Sequence, residues 1–137
     1  MSTQTHKKLM RRFWREFLKP EGDLASLVSP DASFRGTLGI NVRGPHGMRE
    51  YATRVNTVFN GFAVRVGDMV AERDRVVARL QFSGTHMADL FGVPPTGKLV
   101  TYPGVAIATV SGGRIVDMWV TGDAATWMAA FQRLADT

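Results

Sequence analysis

Between Arg75 and Ser83 apolar and polar positions alternate. Val76, Ala78, Leu80 and Phe82 fall on one side and Val77, Arg79, Gln81 and Ser83 on the other, the two-residue period of a strand. Phe62 to Val70 alternates in the same way, with Gly67-Asp68 as a bend, and Glu72-Arg73-Asp74 turns the chain between the two. Further on, two apolar runs meet at Ser111-Gly112-Gly113, where glycine takes positive φ without steric cost, and this predicts a hairpin.

Elsewhere the rhythm is helical. Leu9, Met10, Phe13, Trp14, Phe17 and Leu18 recur at the 3.6-residue period, predicting a helix over Thr3 to Leu18 that Pro20 and Gly22 end. Asp23 is placed to cap a short second helix, Leu24 to Val28, and Ser29-Pro30-Asp31 turns the chain again. Phe34-Arg35-Gly36 begins a short strand or extended arm, and residues 39–47, with Pro45, read as a loop. Met48, Tyr51, Ala52, Val55, Val58 and Phe59 then predict an amphipathic helix that starts after Gly47 and stops near Asn60-Gly61. A last helix, Ala124 to Ala135, carries Trp127, Met128, Phe131 and Leu134 on one stripe.

Strands that follow one another without crossover helices pair antiparallel. The order therefore predicts the α+β class: one domain over residues 1–137, with a curved, mostly antiparallel sheet wrapped around helices as a cone-shaped barrel. A cone of that kind encloses a pocket. Its outer sheet face must be polar or covered, and Ala106, Ala108, Val116, Met118 and Val120 suggest an apolar patch there on which a homodimer would form.

Charge narrows the function classes. The formal net charge is +5, yet Lys7, Lys8, Arg11, Arg12, Arg15 and Lys19 all lie on or just after the first helix, as a solvated helix face would place them. No nucleic-acid motif accompanies them, so no nucleic-acid partner is expected. The chain has no cysteine, which excludes disulfides and thiolate chemistry, and its three histidines, His6, His46 and His86, are too far apart in sequence for a dedicated metal motif. No apolar run is long enough to span a membrane and no leader-like segment opens the chain, so a cytoplasmic protein without membrane contact is expected. No glycine-rich phosphate cradle follows a strand; no nucleotide or flavin cofactor is indicated.

Several stretches together resemble the SnoaL-like family of polyketide cyclases and their relatives, whose fold is the nuclear-transport-factor-2-like (NTF2-like) cone. They are Gly84-Thr85-His86, Phe91-Gly92-Val93-Pro94-Pro95-Thr96-Gly97-Lys98, Gly113-Arg114-Ile115-Val116, Trp119 with Asp123, and an arm containing Phe34-Arg35-Gly36 and Val42-Arg43-Gly44. In the aldol-type cyclases of that family an aspartate on the last strand is the general base, with one histidine two positions before it and another on the preceding strand. Placing Trp119 on the family's tryptophan puts Met118 where the nearby histidine would stand and Val120 where the base would stand, while His86 corresponds to the other histidine. The usual proton-abstracting pair is then missing. The resemblance implies a cofactor-independent tailoring enzyme of aromatic, anthracycline-type polyketides, doing acid–base cyclase or isomerase chemistry, or hydroxylating such a substrate with dioxygen. A non-catalytic ligand-binding or dimerisation domain is the alternative from another class.

Candidate catalytic residues follow. Asp123 closes the last strand, where a carboxylate at the mouth of an apolar cone would serve as base; it also directly precedes the last helix, where it would be an N-cap. His86 ends a strand and is suited to donate to a developing enolate. For the hydrophobic small-molecule substrate, Trp14, Tyr51, Phe59 and Trp119 are candidate walls, Met87 and Phe91 a candidate lid, and Arg35 and Arg43 candidate bidentate partners of a phenolate or carboxylate.

Overall fold

A computed structural model describes residues 2–37, 39–123, 125, 128 and 129. Helix α1 runs Thr3–Phe17, capped where Ser2 Oγ accepts from the Thr5 amide at 3.1 Å. Strands β1 (Val28–Arg35) and β2 (Asn41–Arg43) follow, then helix α2 (Gly44–Val58) and four long strands, β3 (Phe59–Glu72), β4 (Arg75–His86), β5 (Leu99–Ser111) and β6 (Arg114–Gly122).

The six strands form one unclosed sheet in the order β2-β1-β6-β5-β4-β3. Every pairing is antiparallel except that of β1 with β6. The α+β class with a curved, mostly antiparallel sheet is thus as the pattern predicts. Register shifts in β3, between Asn60 and Ala63 and again between Val66 and Met69, add the local bends that curve the sheet. Gly112 and Gly113, at φ 59° and 77°, make the β5–β6 hairpin turn.

Alternation holds along β4, where Val76, Ala78, Leu80, Phe82, Gly84 and His86 are all buried. Against this inner face α1 lays His6, Met10, Phe13, Trp14 and Phe17, and α2 lays Met48, Tyr51, Ala52 and Val55. The two helices and the concave face of the sheet enclose the core.

Four expectations are corrected. Leu24 to Val28 is not a helix: Asp23 accepts from the Ser26 amide at 3.2 Å to close a single turn, and Val28 already belongs to β1. Helix α2 begins at Gly44 rather than after Gly47, because Pro45 has the φ of a first helical turn and lacks an N–H that would there be unbonded. Strands β3 and β4 are longer than the alternation alone suggests, since β3 starts directly from the end of α2. The proposed outer patch is inverted at four of its five positions: Ala106, Ala108, Met118 and Val120 face the core, Val116 at the β5–β6 register shift stays half-buried, and the outward residues that pair across the sheet are Val77, Ile107 and Trp119. Of the last helix, Ala125, Met128 and Ala129 are helical and Met128 packs against the core, while Trp127, Phe131 and Leu134 lie outside the described residues.

Candidate functional site

The inner faces of helices and sheet are rich in rings, and the rings surround a cavity. Trp14 and Phe17 of α1, Tyr51, Val55 and Val58 of α2, and Phe34 of β1 with Gly36 and Thr37 beyond it line one side. Phe59 and Phe62 of β3, Phe82 of β4, Tyr102 of β5 and Val120 of β6 line the other. The walls are continuous: Phe82 and Tyr102 have ring centroids 5.1 Å apart, Phe34 and Tyr51 meet edge to face at 5.1 Å, and Phe17 stacks on Phe34 at 5.7 Å.

Close approach of backbone to ring shapes the sheet side. A Cβ on Gly104 would lie 2.2 Å from the Phe82 ring, and one on Gly122 2.7 Å from the Tyr102 ring. The missing side chains let both rings lie flat on the strands. The space left where the centre of a water molecule can sit is about 30 Å³, enough for roughly two waters. A multi-ring ligand fits only if side chains move apart.

The polar groups of the cavity are neutral. The lining side chains that are polar carry hydroxyls, in Thr37, Tyr51 and Tyr102, or an indole N–H, in Trp14. Burial pushes the Tyr102 hydroxyl far above the usual phenol range, and the neighbouring Tyr51 adds to the shift, so Tyr102 stays a protonated donor. No carboxylate, imidazole or guanidinium of the described residues lines the cavity.

The sequence-derived candidates divide accordingly. Trp14, Tyr51 and Phe59 line the cavity. Trp119 is on the opposite, outer face of the sheet, with the Arg35 guanidinium 5.9 Å from its ring centroid, because beyond the register shift at Val116 the odd-numbered positions of β6 point away from the core. Arg43 is exposed and donates to the Asp31 carbonyl at 3.3 Å. Met87 and Phe91, 53% and 52% exposed, sit on the β4–β5 connection and are not cavity-lining residues.

Asp123 is exposed. Its amide donates to the Pro103 carbonyl at 2.8 Å, and it borders a shallow outer depression with Arg79, Val105 and Thr121. Outward alternation along β6 thus takes it away from the cone, and Ala124, Thr126 and Trp127 in the first turn of the helix it would cap lie outside the described residues. His86 is 0% exposed, at the inner end of β4. Its Nδ1 is 3.3 Å from Thr96 Oγ1, and its ring lies 6.0 Å from that of Phe59, one step behind the cavity wall. Its backbone groups bond Lys98 and Gly97, so it also ties the β4–β5 connection to the sheet.

Val120, where the family resemblance would place the general base, does line the cavity, and Met118 beside it is fully buried. Neither can titrate. Tyr102 is the main residue that sequence reasoning missed: counting back from Val110, Ala108 and Ala106 by twos leads to it, but Pro103-Gly104 hides the alternation.

Among solved structures, a candidate SnoaL-like polyketide cyclase from Jannaschia sp. CCS1 superimposes with a TM-score of 0.80 at 20% identity, covering 94% of this chain and 92% of that one. AclR, a candidate hydroxylase from Streptomyces galilaeus, gives a TM-score of 0.76 at 22% identity over 96% of this chain and 87% of that one. IdmH, a candidate polyketide cyclase from Streptomyces antibioticus, gives 0.74 at 27% identity over 90% and 95%. The architecture is the ketosteroid isomerase-like, NTF2-like fold. No curated protein sequence matches the chain. The family model of SnoaL-like polyketide cyclases matches residues 8–131, nearly the whole of the curved sheet and both helices, and the chain belongs to that family.

Proposed function

We propose that this protein is a cofactor-independent tailoring enzyme of aromatic, anthracycline-type polyketide biosynthesis. The observation that carries the reading is a ring-lined cavity whose lining side chains include neutral polar groups but no charged one. Such a cavity suits a flat substrate that is acidic by itself, a phenol or a β-dicarbonyl. The proton leaves to water, and the hydroxyls and indole stabilise the enolate in a low-dielectric site, where donors act strongly. Attack of that enolate carbon on an internal carbonyl closes a ring, and the resulting alkoxide takes a proton back. IdmH supports a cyclase of this kind.

One observation favours a second reading, hydroxylation with dioxygen: the position of the cyclase base is occupied by Val120. A stabilised carbanion that has no internal carbonyl to attack is open to dioxygen instead: the new C–O bond gives a peroxide anion that takes a proton, and an external two-electron reductant then splits the O–O bond of the hydroperoxide, leaving the hydroxyl group and one water. Mass spectrometry of an aromatic polyketide substrate with and without air separates the two. Ring closure leaves the mass unchanged, or lowers it by one water, whether or not air is present; hydroxylation adds oxygen and stops without air. Saturable binding with no turnover under either condition makes the chain a binding module. A homodimer remains part of the proposal, now through Val77, Ile107 and Trp119 on the outer sheet face, and sedimentation of Ile107→Asp against the parent chain tests it.

A further inference from the structure

Trp14 is 3% exposed, packed edge to face on Phe13 at 5.1 Å and on Phe17 at 5.4 Å. Its Nε1 is fully buried and has no hydrogen-bond acceptor among the described residues. In the unfolded chain water supplies that acceptor, so an orphaned N–H disfavours folding, and native proteins keep few of them. Phenylalanine would supply a ring for the same packing without an unsatisfied donor. The indole also lines the cavity, where the remaining space is about the size of a small polar group, and an indole N–H only donates.

We propose that Trp14 is a specificity-determining residue: its Nε1–H donates to the carbonyl or enolate oxygen of a flat aromatic ketone, so that the cavity selects such ketones over hydrocarbons of the same shape. The inference rests on the reading of the cavity as the substrate site and adds the acceptor that the substrate must carry. A ketone oxygen beside Nε1 gains a hydrogen bond in a dry, low-dielectric setting, whereas a hydrocarbon leaves the donor orphaned.

The probes are 9-fluorenone and fluorene, tricycles that differ in the carbonyl alone, titrated into the full chain with ¹⁵N-labelled indoles. The chain has three tryptophans, and Trp14→Phe identifies the Trp14 resonance by its loss. Fluorenone is expected to move the Trp14 Nε1–H signal downfield to saturation, and saturating fluorene to leave it near its free position. Trp14→Phe is expected to weaken fluorenone binding about 3- to 10-fold and to change fluorene binding less than about 2-fold. Equal movement with both ligands, or fluorenone affinity unchanged in Trp14→Phe, overturns the inference and leaves the aromatic cavity standing. Absence of binding by either ligand overturns the substrate-site reading as well. Should Trp14→Phe not fold, Trp119→Phe and Trp127→Phe assign the signals by elimination, and the shift in the parent chain decides.

Discussion

The hydroxyl of Tyr51 fills the space that a side chain on Gly36 would take: a Cβ there would lie 2.0 Å from Tyr51 Oη. The end of β1 and the ring of α2 are therefore fitted to each other at the cavity wall. Gly36→Ala should displace Tyr51, destabilise the fold by about 1–3 kcal/mol and weaken fluorenone binding. In denaturant titrations, Gly36→Ala added to Tyr51→Ala should be nearly free of further loss, because the clash is gone. A Gly36→Ala protein as stable and as tight-binding as the parent would show the fit to be unimportant.

Arg49 holds the end of α1. Its Nη1 donates to the carbonyls of Phe17 at 3.1 Å and Lys19 at 2.5 Å, and its Nη2 to those of Gly22 at 2.9 Å and Glu16 at 3.4 Å. The carbonyls of Glu16, Lys19 and Gly22 also accept backbone amides of the turns that end the helix, and one planar fork uses their remaining lone pairs to tie those turns together. Arg49→Ala is expected to lower stability by about 2–4 kcal/mol, with Arg49→Lys losing most of that, since an ammonium cannot span the set. Equal denaturation midpoints for Arg49→Lys and the parent would remove the geometric argument.

Acid should loosen the same corner. The hydrogen bond from Lys19, then that from the Asp23 amide, holds Glu16 below the ordinary glutamate value of 4.5. The Ser26 hydroxyl, then the Ser26 amide, holds Asp23 below 3.8. Folded values lower than unfolded ones mean that the unfolded chain takes up protons first, so this stabilisation is complete above those ordinary values and is lost as pH falls below them. The fall in Tm between pH 5 and pH 3 should be smaller in Asp23→Asn than in the parent. An identical fall in both would place the acid sensitivity elsewhere.

Base should act through Tyr102. Its folded value lies above the unfolded 10, so the folded chain keeps a proton that the unfolded chain releases. Stability is then complete below pH 10 and is lost as pH rises beyond it. Tyr102→Phe should flatten this alkaline decline in Tm. In the parent, the phenolate absorbance of Tyr102 should appear only together with unfolding; its appearance in the folded state would contradict the burial argument.

Asp123→Asn tests the residue that the sequence singled out as a base. Since Asp123 is exposed and outside the cavity lining, the substitution should leave fluorenone affinity within about 2-fold and retain turnover. Loss of turnover together with loss of a titrating limb in the pH–rate profile would return the base to Asp123, acting in a conformation that brings it to the substrate.

What the sequence determined by itself is most of the long elements, α1, α2 and β3 to β6, and the buried side of α1, α2 and β4. Alternation in β4 and the 3.6-residue stripes of α1 and α2 are local consequences of backbone geometry and apolar burial, and the glycine pair at 112–113 can hardly be other than a turn. Even the absence of a titratable group at position 120 was legible, once Trp119 was placed on the family's tryptophan. The tertiary structure decided which face of the sheet is concave. Because a strand's side chains alternate, a choice of face moves every residue together: it took Trp119, Arg35 and Asp123 outside and brought Met118 and Val120 in. It also brought Tyr102 across from Trp14 and Tyr51, residues of three different elements whose approach depends on the bends of the sheet and on glycines that let rings lie against it. Such long-range juxtaposition has no periodic signature in the chain, and the neutral donor set of the cavity exists only through it.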